Sequence, residues 1–146
     1  MVNNVISAVS VALHNEFGTS YRIYSDNVEQ ALIRPCFFIN VIRPTQVEKN
    51  PTRYYVSVPL VIQYFPQTQG VRSECHSVAS KLFDCLKYVS FNDDMYRGTD
   101  LKYDINDDKL NFYVEYNFFV YKRDNTDTNS IDELGVSVGT ARKDDE

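Results

Sequence analysis

The stretch RYYVSVPLVIQYFP, residues 53–66, places an apolar side chain at every even position from Tyr54 to Tyr64. Alternation with a period of two is typical of a β-strand that buries one face. The odd positions include a serine, a glutamine and Pro59. Because proline cannot donate a hydrogen bond to a sheet, we expect an edge position or a β-bulge at Pro59. The stretch therefore predicts one long strand that forms a wall of the core.

A second stretch, LNFYVEYNFFVY, repeats this alternation from Leu110 to Tyr121. It follows the alternating segment TDLKYDI and the turn residues 106–108, so we predict a hairpin of two long strands. The sequence YVSFNDDMYRGTD predicts a smaller hairpin with its turn at residues 92–94. The strand in RPCFFINVI is expected to begin just after Pro35, and it is apolar on both faces, which predicts cover on both sides.

Apolar residues recur at helical spacing in residues 2–17 and 71–87, and each segment is predicted to be a helix. This order of helices and strands predicts an α+β fold, in which an antiparallel β-sheet carries two helices packed on one face. The buried stripe of the second helix is predicted to comprise Val71, Cys75, Val78, Leu82 and Leu86, helped by Phe83 and Cys85.

The folded domain is expected to span residues 1–121, since a chain of 146 residues suits one domain. Within it, the polar segment RPTQVEKNPTR, residues 43–53, predicts an extended hairpin loop or a strand end that projects into solvent. Residues 122–146 are polar and charged, and they are expected to form a flexible tail or an arm that docks on a partner.

The net charge of −5 argues against a protein that binds nucleic acid by neutralising phosphates. The 3 cysteines are widely spaced and odd in number, which favours reduced thiols in a cytosolic protein over a disulfide framework. No apolar run approaches the roughly 20 residues that a membrane helix needs. The first residues also lack the cationic start of a secretory signal, so we expect an intracellular protein.

Few residues offer catalytic chemistry. Cys75 and His76 are neighbours, but successive side chains on a helix point about 100° apart, so we expect Cys75 to pack inward and His76 to face solvent. His14 is expected to be structural. The spacings of zinc sites and of glycine-rich phosphate loops are absent from the sequence. The sequence therefore predicts no enzyme, no cofactor and no metal site.

Two further features are given structural interpretations. The aspartates at 93–94 and 107–108 fall in predicted turns, where such side chains cap backbone groups. Arg97 and Gly98 are predicted to form a β-bulge that presents a surface arginine. Strands that are apolar on two faces, a projecting segment and a detached tail are typical of a subunit that assembles.

The motifs RPCFFINVI, RYYVSVPLVIQYFP, SECHSVASKLFDCL and MYRGTDLKYDINDDKLNFYVEYNFFVY, taken together, closely resemble the tail terminator (tail completion) family. That family occurs in tailed phages and in prophage-derived, PBSX-like particles of Gram-positive bacteria. The resemblance covers residues 2–121. It implies a lambda-type tail terminator fold and a hexameric ring that sits on the last ring of the tail tube, ends polymerisation and meets the head-completion proteins.

The resemblance also implies contact with the sheath where the particle is contractile, and no catalytic residues. DNA is expected to pass through the lumen without specific binding, and an acidic surface suits that passage. Assembly is expected in the bacterial cytoplasm, after which the protein is part of the particle. The candidate contacts with partners or neighbouring subunits are Arg43, Glu48, Lys49, Arg53, Arg97, Asp93 and Asp94.

Other functions stay open on the sequence. A head–tail stopper or joining protein of the same particle is also a small, β-rich ring protein. A small enzyme using Cys75 or His76 is a hypothesis of a different class, and Cys75→Ser would test it. A nucleic-acid binder would show salt-sensitive affinity for DNA. Whether the particle is a phage or a headless bacteriocin, and whether its tail contracts, stays undecided.

Overall fold

A computed structural model describes residues 1–25, 33–67, 72–121 and a short strand at 135–137. The first helix matches its predicted bounds, and the long alternating segments are all strands. The elements are α1 (Val2–Phe17), β1 (Arg22–Tyr24), β2 (Cys36–Val41), β3 (Thr45–Asn50), β4 (Arg53–Phe65), α2 (Arg72–Cys85), β5 (Tyr88–Phe91), β6 (Asp94–Asn106), β7 (Lys109–Tyr121) and β8 (Gly135–Ser137).

The sheet runs in the order β1-β2-β4-β7-β6-β5, with β3 also paired to β4 and β8 to β7. Only β1 and β2, among the described strands, pair in parallel. The alternating apolar positions of β4 and β7 form one buried cluster with the apolar stripes of both helices. The predicted α+β fold, with an antiparallel sheet and two helices on one face, is confirmed.

Pro59 occupies a central strand, so the predicted edge position is wrong, and the alternative prediction of a β-bulge is not met in the pairing with β7. β4 pairs with β7 in unbroken register, and Pro59 lies opposite Glu115. On its other side β4 has two partners, β2 and then β3, and Pro59 faces the break between them. The Ile42 N–H donates to the Pro59 carbonyl there, at 2.8 Å. In an antiparallel strand, the backbone nitrogen and carbonyl of one residue face the same neighbouring strand. The nitrogen of Pro59, which has no hydrogen to donate, therefore also faces the break between β2 and β3.

Both predicted hairpin turns are confirmed, and neither contains glycine. Asn92 and Asp93 link β5 to β6, and Asp107 and Asp108 link β6 to β7, all four with positive φ. Two successive residues with positive φ make the turn whose twist matches antiparallel strands, and Asn and Asp tolerate that conformation better than other side chains.

Gly98 is buried at the crossing of β6 with the end of α2. Its N–H donates to the Lys87 carbonyl at 2.7 Å, and the Tyr116 hydroxyl donates to the Leu86 carbonyl at 2.7 Å. The register shift of β6 lies between Thr99 and Lys102, so the bulge predicted at Arg97 and Gly98 falls just downstream of them. Arg97 is exposed, as predicted.

The second helix is shorter than predicted and begins at Arg72, while Val71 lies outside the described residues. Its predicted stripe is otherwise buried from Cys75 to Leu86, although Leu86 follows the last helical residue. The two flanking residues are less covered, because Cys85 is half-buried and 38% of the Phe83 surface is exposed. The Phe83 ring packs edge-to-face against the Phe112 ring of β7, with 5.0 Å between the ring centres.

The predicted tail, residues 122–146, lies outside the described residues except for β8. That strand pairs with the last three residues of β7, on the side of β7 opposite to β4. A part of the tail therefore belongs to the sheet of its own chain.

Candidate interaction surfaces

Cys75 and His76 do not form a catalytic pair. Cys75 is buried, and burial, with a smaller contribution from the Glu74 charge, raises the pKa of its thiol. His76 is exposed, and its Nδ1 atom lies 2.7 Å from the Tyr103 hydroxyl. A thiol nucleophile needs a base within hydrogen-bond reach and a lowered pKa. The predicted packing of Cys75 and exposure of His76 are confirmed.

We predict that none of the three thiols reacts readily in the folded protein. Burial raises the pKa of Cys36 and Cys75, and it raises that of Cys85 from 9.0 to about 12. A shift of that size lowers the thiolate fraction of Cys85 on the order of a thousandfold at about pH 8. A chromogenic disulfide reagent should therefore modify the native protein slowly and the urea-unfolded protein fully.

The same shifts set the sign of the pH dependence. A group whose pKa is raised on folding contributes stability below its unfolded pKa, and this contribution is lost as pH rises through the folded pKa. For Cys85 the loss runs from about 9 to about 12, and Tyr96, whose pKa is raised by burial to about 12, adds to it above about 10. Rapid reaction of any thiol in the native protein would contradict the prediction that the three thiols are protected by the fold.

The described residues were also compared with the requirements of a metal site and of a membrane helix. No group of three or more His, Cys, Asp or Glu side chains there is placed to hold a metal ion. None of the helices in the described ranges is long and apolar enough to cross a membrane. A subunit that assembles meets its neighbours through uncovered sheet faces and edges.

The face of the sheet away from the helices is uncovered within the described chain, and a row of polar side chains crosses it. The Asn40 amide donates to Gln63, the Gln63 amide to Asn111, and the Asn111 amide to Asp104, at 3.5, 3.1 and 3.1 Å. These residues belong to four neighbouring strands. Because its amide oxygen and its amide nitrogen both have hydrogen-bond partners, Asn111 is buried without the cost of an unpaired polar group.

An aromatic and cationic cluster lies on the same face at the β3–β4 hairpin. The rings of Tyr55 and Phe119 pack at 5.0 Å, and the Arg53 guanidinium lies 4.6 Å from the centre of the Phe119 ring. The Lys49 ammonium lies 5.9 Å from the centre of the Tyr55 ring. No carboxylate of a described residue forms an ion pair with either cation. The cluster therefore presents two positive charges above the faces of two aromatic rings.

The projecting segment is a strand and not a loop. All six residues of β3 are exposed, and they pair with the first half of β4. The register sets Val47 beside Tyr55 and Tyr55 beside Phe119, so the strand extends the aromatic cluster. We define the hairpin surface as Ile42, Arg43, Val47, Glu48, Lys49, Arg53 and Tyr121, which includes three exposed large apolar side chains.

A second surface lies at the other edge of the sheet, where α1 runs beside β5. A groove of about 270 Å³ there is lined by residues that include Val11, Glu16 and Tyr88. Tyr88 pairs with Arg97, and the next pair on the same face contains Met95. We define the edge surface as Val11, Glu16, Tyr88, Asp93, Asp94, Met95 and Arg97, again with three exposed large apolar side chains.

The definitions of the two surfaces include the seven candidate contacts from the sequence, which the structure places in or beside the β3–β4 hairpin and at the β5–β6 end of the sheet. Four of them lie on the hairpin surface and three on the edge surface. Whether they contact a partner stays a prediction. Val47, Tyr88 and Met95 are not distinguished by the sequence alone, because their exposure depends on which strands are edges. The signal that was available is the alternation itself, which assigns Tyr88 and Met95 to the face opposite Val89 and Tyr96.

Comparison with known families identifies the chain. A family model described as phage tail terminator protein matches residues 4–128, which is nearly all of the described fold and a few residues beyond it. A search of curated proteins gives no match. The resemblance of the sequence motifs to tail terminators is thereby confirmed. The chain belongs to a phage tail terminator family, and its role is a structural one in the assembly of a phage tail.

Proposed function

We propose that this protein caps the head-proximal end of a tail tube as a ring of identical subunits. The ring ends the polymerisation of the tube and offers its far side to head-completion proteins. The observation that carries the proposal is the family match across residues 4–128. In a contractile particle, the same ring also ends the sheath.

The surfaces of the fold support this proposal. An uncovered sheet face and an exposed edge strand are costly for an isolated protein, because unpaired strand edges invite aggregation. A ring buries such surfaces between subunits, and closure of the ring prevents further growth. The charged residues on β3 are a feature that protects an edge until its proper partner arrives.

The net charge of −5 suits a ring through which DNA passes. Like charges repel, so an acidic lumen keeps the genome from binding to the wall. Assembly takes place in the cytoplasm of the host cell, and the protein then stays in the particle. No cofactor is needed for this role.

The test is deletion of the gene in a strain that produces the particles, followed by electron cryomicroscopy. We expect tails of uncontrolled length without a cap at the head-proximal end, and wild-type length when the gene is supplied in trans. Tails of normal length that fail to join heads would instead assign the chain to the stopper or joining role. Unchanged particles would overturn both assignments.

A further inference from the structure

We propose that the hairpin surface of one copy docks on the edge surface of the next copy, and that this contact closes the ring. The occupant of each surface is thus a second copy of this chain. The inference rests on the proposed function, and it adds the two surfaces that meet.

The position of the two surfaces in the sheet fixes the type of contact. The hairpin surface is built on β3, beside β4, whereas the edge surface is built on β5 and β6 at the end of the strand order. β4 and β7 lie between them. Because the surfaces are different, the contact is heterologous, and a heterologous contact with the correct rotation generates a closed ring.

The apolar content of the two surfaces is matched. Of the nine exposed large apolar side chains among the described residues, six lie on these surfaces, three on each. The hairpin surface presents Val47 beside Tyr55, and Tyr121 two residues after Phe119 on the same strand. The edge surface presents Tyr88 beside a groove. Aromatic side chains that meet a pocket are the usual anchors of protein interfaces.

The charges of the two surfaces are opposite. The hairpin surface carries Arg43, Lys49 and Arg53 against Glu48, a net charge of +2. The edge surface carries Glu16, Asp93 and Asp94 against Arg97, a net charge of −2. Asp84 and Lys87, which adjoin groove residues in sequence, cancel each other. Opposite charge on different surfaces favours head-to-tail contact and disfavours contact between two copies of the same surface.

The test places a photo-crosslinker, p-benzoylphenylalanine, at residue 47 in particles made by the producing strain. Each copy then carries a probe on its hairpin surface and a target on its edge surface. We expect a ladder of dimers, trimers and larger products of this chain. Mass spectrometry of the linked peptides should identify the segment around Tyr88 to Arg97 or the segment of α1 around Val11.

Ile33 provides the matched control, because Val47, Met95 and Ile33 are each 49% exposed and Ile33 lies on neither surface. A probe at Ile33 should give no ladder.

Aspartate substitutions provide a second test. Val47→Asp and Met95→Asp should each weaken the contact at least tenfold, about 1.4 kcal/mol, and lengthen tails. Ile33→Asp should do neither. Circular dichroism and thermal melting of each purified variant separate loss of contact from loss of fold.

The outcomes separate this inference from the proposed function. Products that stop at a dimer, or crosslinks only to another particle protein, would overturn the inference, and uncontrolled tail length in the deletion strain would still support the cap. Absence of any crosslink at residue 47 would also overturn the inference. Tails of normal length in the deletion strain would contradict the proposed function, whatever crosslinks are found.

Discussion

Replacement of Gly98 by alanine is expected to lower the free energy of unfolding by about 3 kcal/mol, since overpacking of a tight site typically costs 1–3 kcal/mol or more. A Cβ atom at this position would lie 2.6 Å from the Leu86 carbonyl oxygen and 2.9 Å from Val114 Cγ2. The carbonyl belongs to the backbone, so it cannot rotate away. Urea denaturation followed by circular dichroism measures the change.

Two variants make this prediction specific. Arg97→Ala, at the exposed neighbouring position, should change stability by no more than about 0.5 kcal/mol. Tyr116→Phe removes the hydroxyl that donates to the same Leu86 carbonyl. If Gly98→Ala acts by displacing that carbonyl, the double variant should lose less than the sum of the single losses. Full additivity would show that the steric explanation is wrong.

Replacement of Phe112 by alanine is expected to cost about 3–5 kcal/mol, the range for a large buried aromatic residue. Phe112 is fully buried in β7, between Ile62 of β4 and Tyr103 of β6. The loss removes apolar burial and leaves a cavity at the centre of the sheet. It should lower the thermal midpoint by roughly 6–20 °C in a chain of this size.

Phe83→Ala is the matched control, because it also removes a phenyl ring, namely the one that packs against Phe112. Since 38% of Phe83 is exposed, its loss should cost about 1 kcal/mol. A double-mutant cycle should assign about 0.5–1.5 kcal/mol to the edge-to-face pair. A cost for Phe83 as large as that for Phe112 would contradict the exposure in the structure.

Periodicity predicted the local elements well, because it reflects one buried face per element. The alternation from Leu110 to Val120 identified six buried side chains of β7 correctly. The same reasoning placed Phe83 in the buried stripe of α2, and it was wrong there because a helix bordering a sheet has a flank that the pattern cannot distinguish from its core face. Burial at the margin depends on the neighbouring strand, here β6.

Strand order could not be read from periodicity. Pro59 argues for an edge when the strand is considered alone, and only the break between β2 and β3 explains how a central strand accepts it. The two candidate surfaces have the same origin. Their residues are ordinary in sequence, and the sheet order alone brings Val47 together with Tyr121 and sets both apart from Tyr88.

The pairing of β4 with β7 also determines when the molecule can fold. These two strands form the centre of the sheet, yet a helix and two strands separate them in the chain. The closure of so long a loop is slow, and it waits on the ribosome until β7 has been synthesised. Until then, one edge of β4 has no partner in the nascent chain. Any truncation before Lys109 therefore removes β7, the strand that joins β4 to β6 in the sheet.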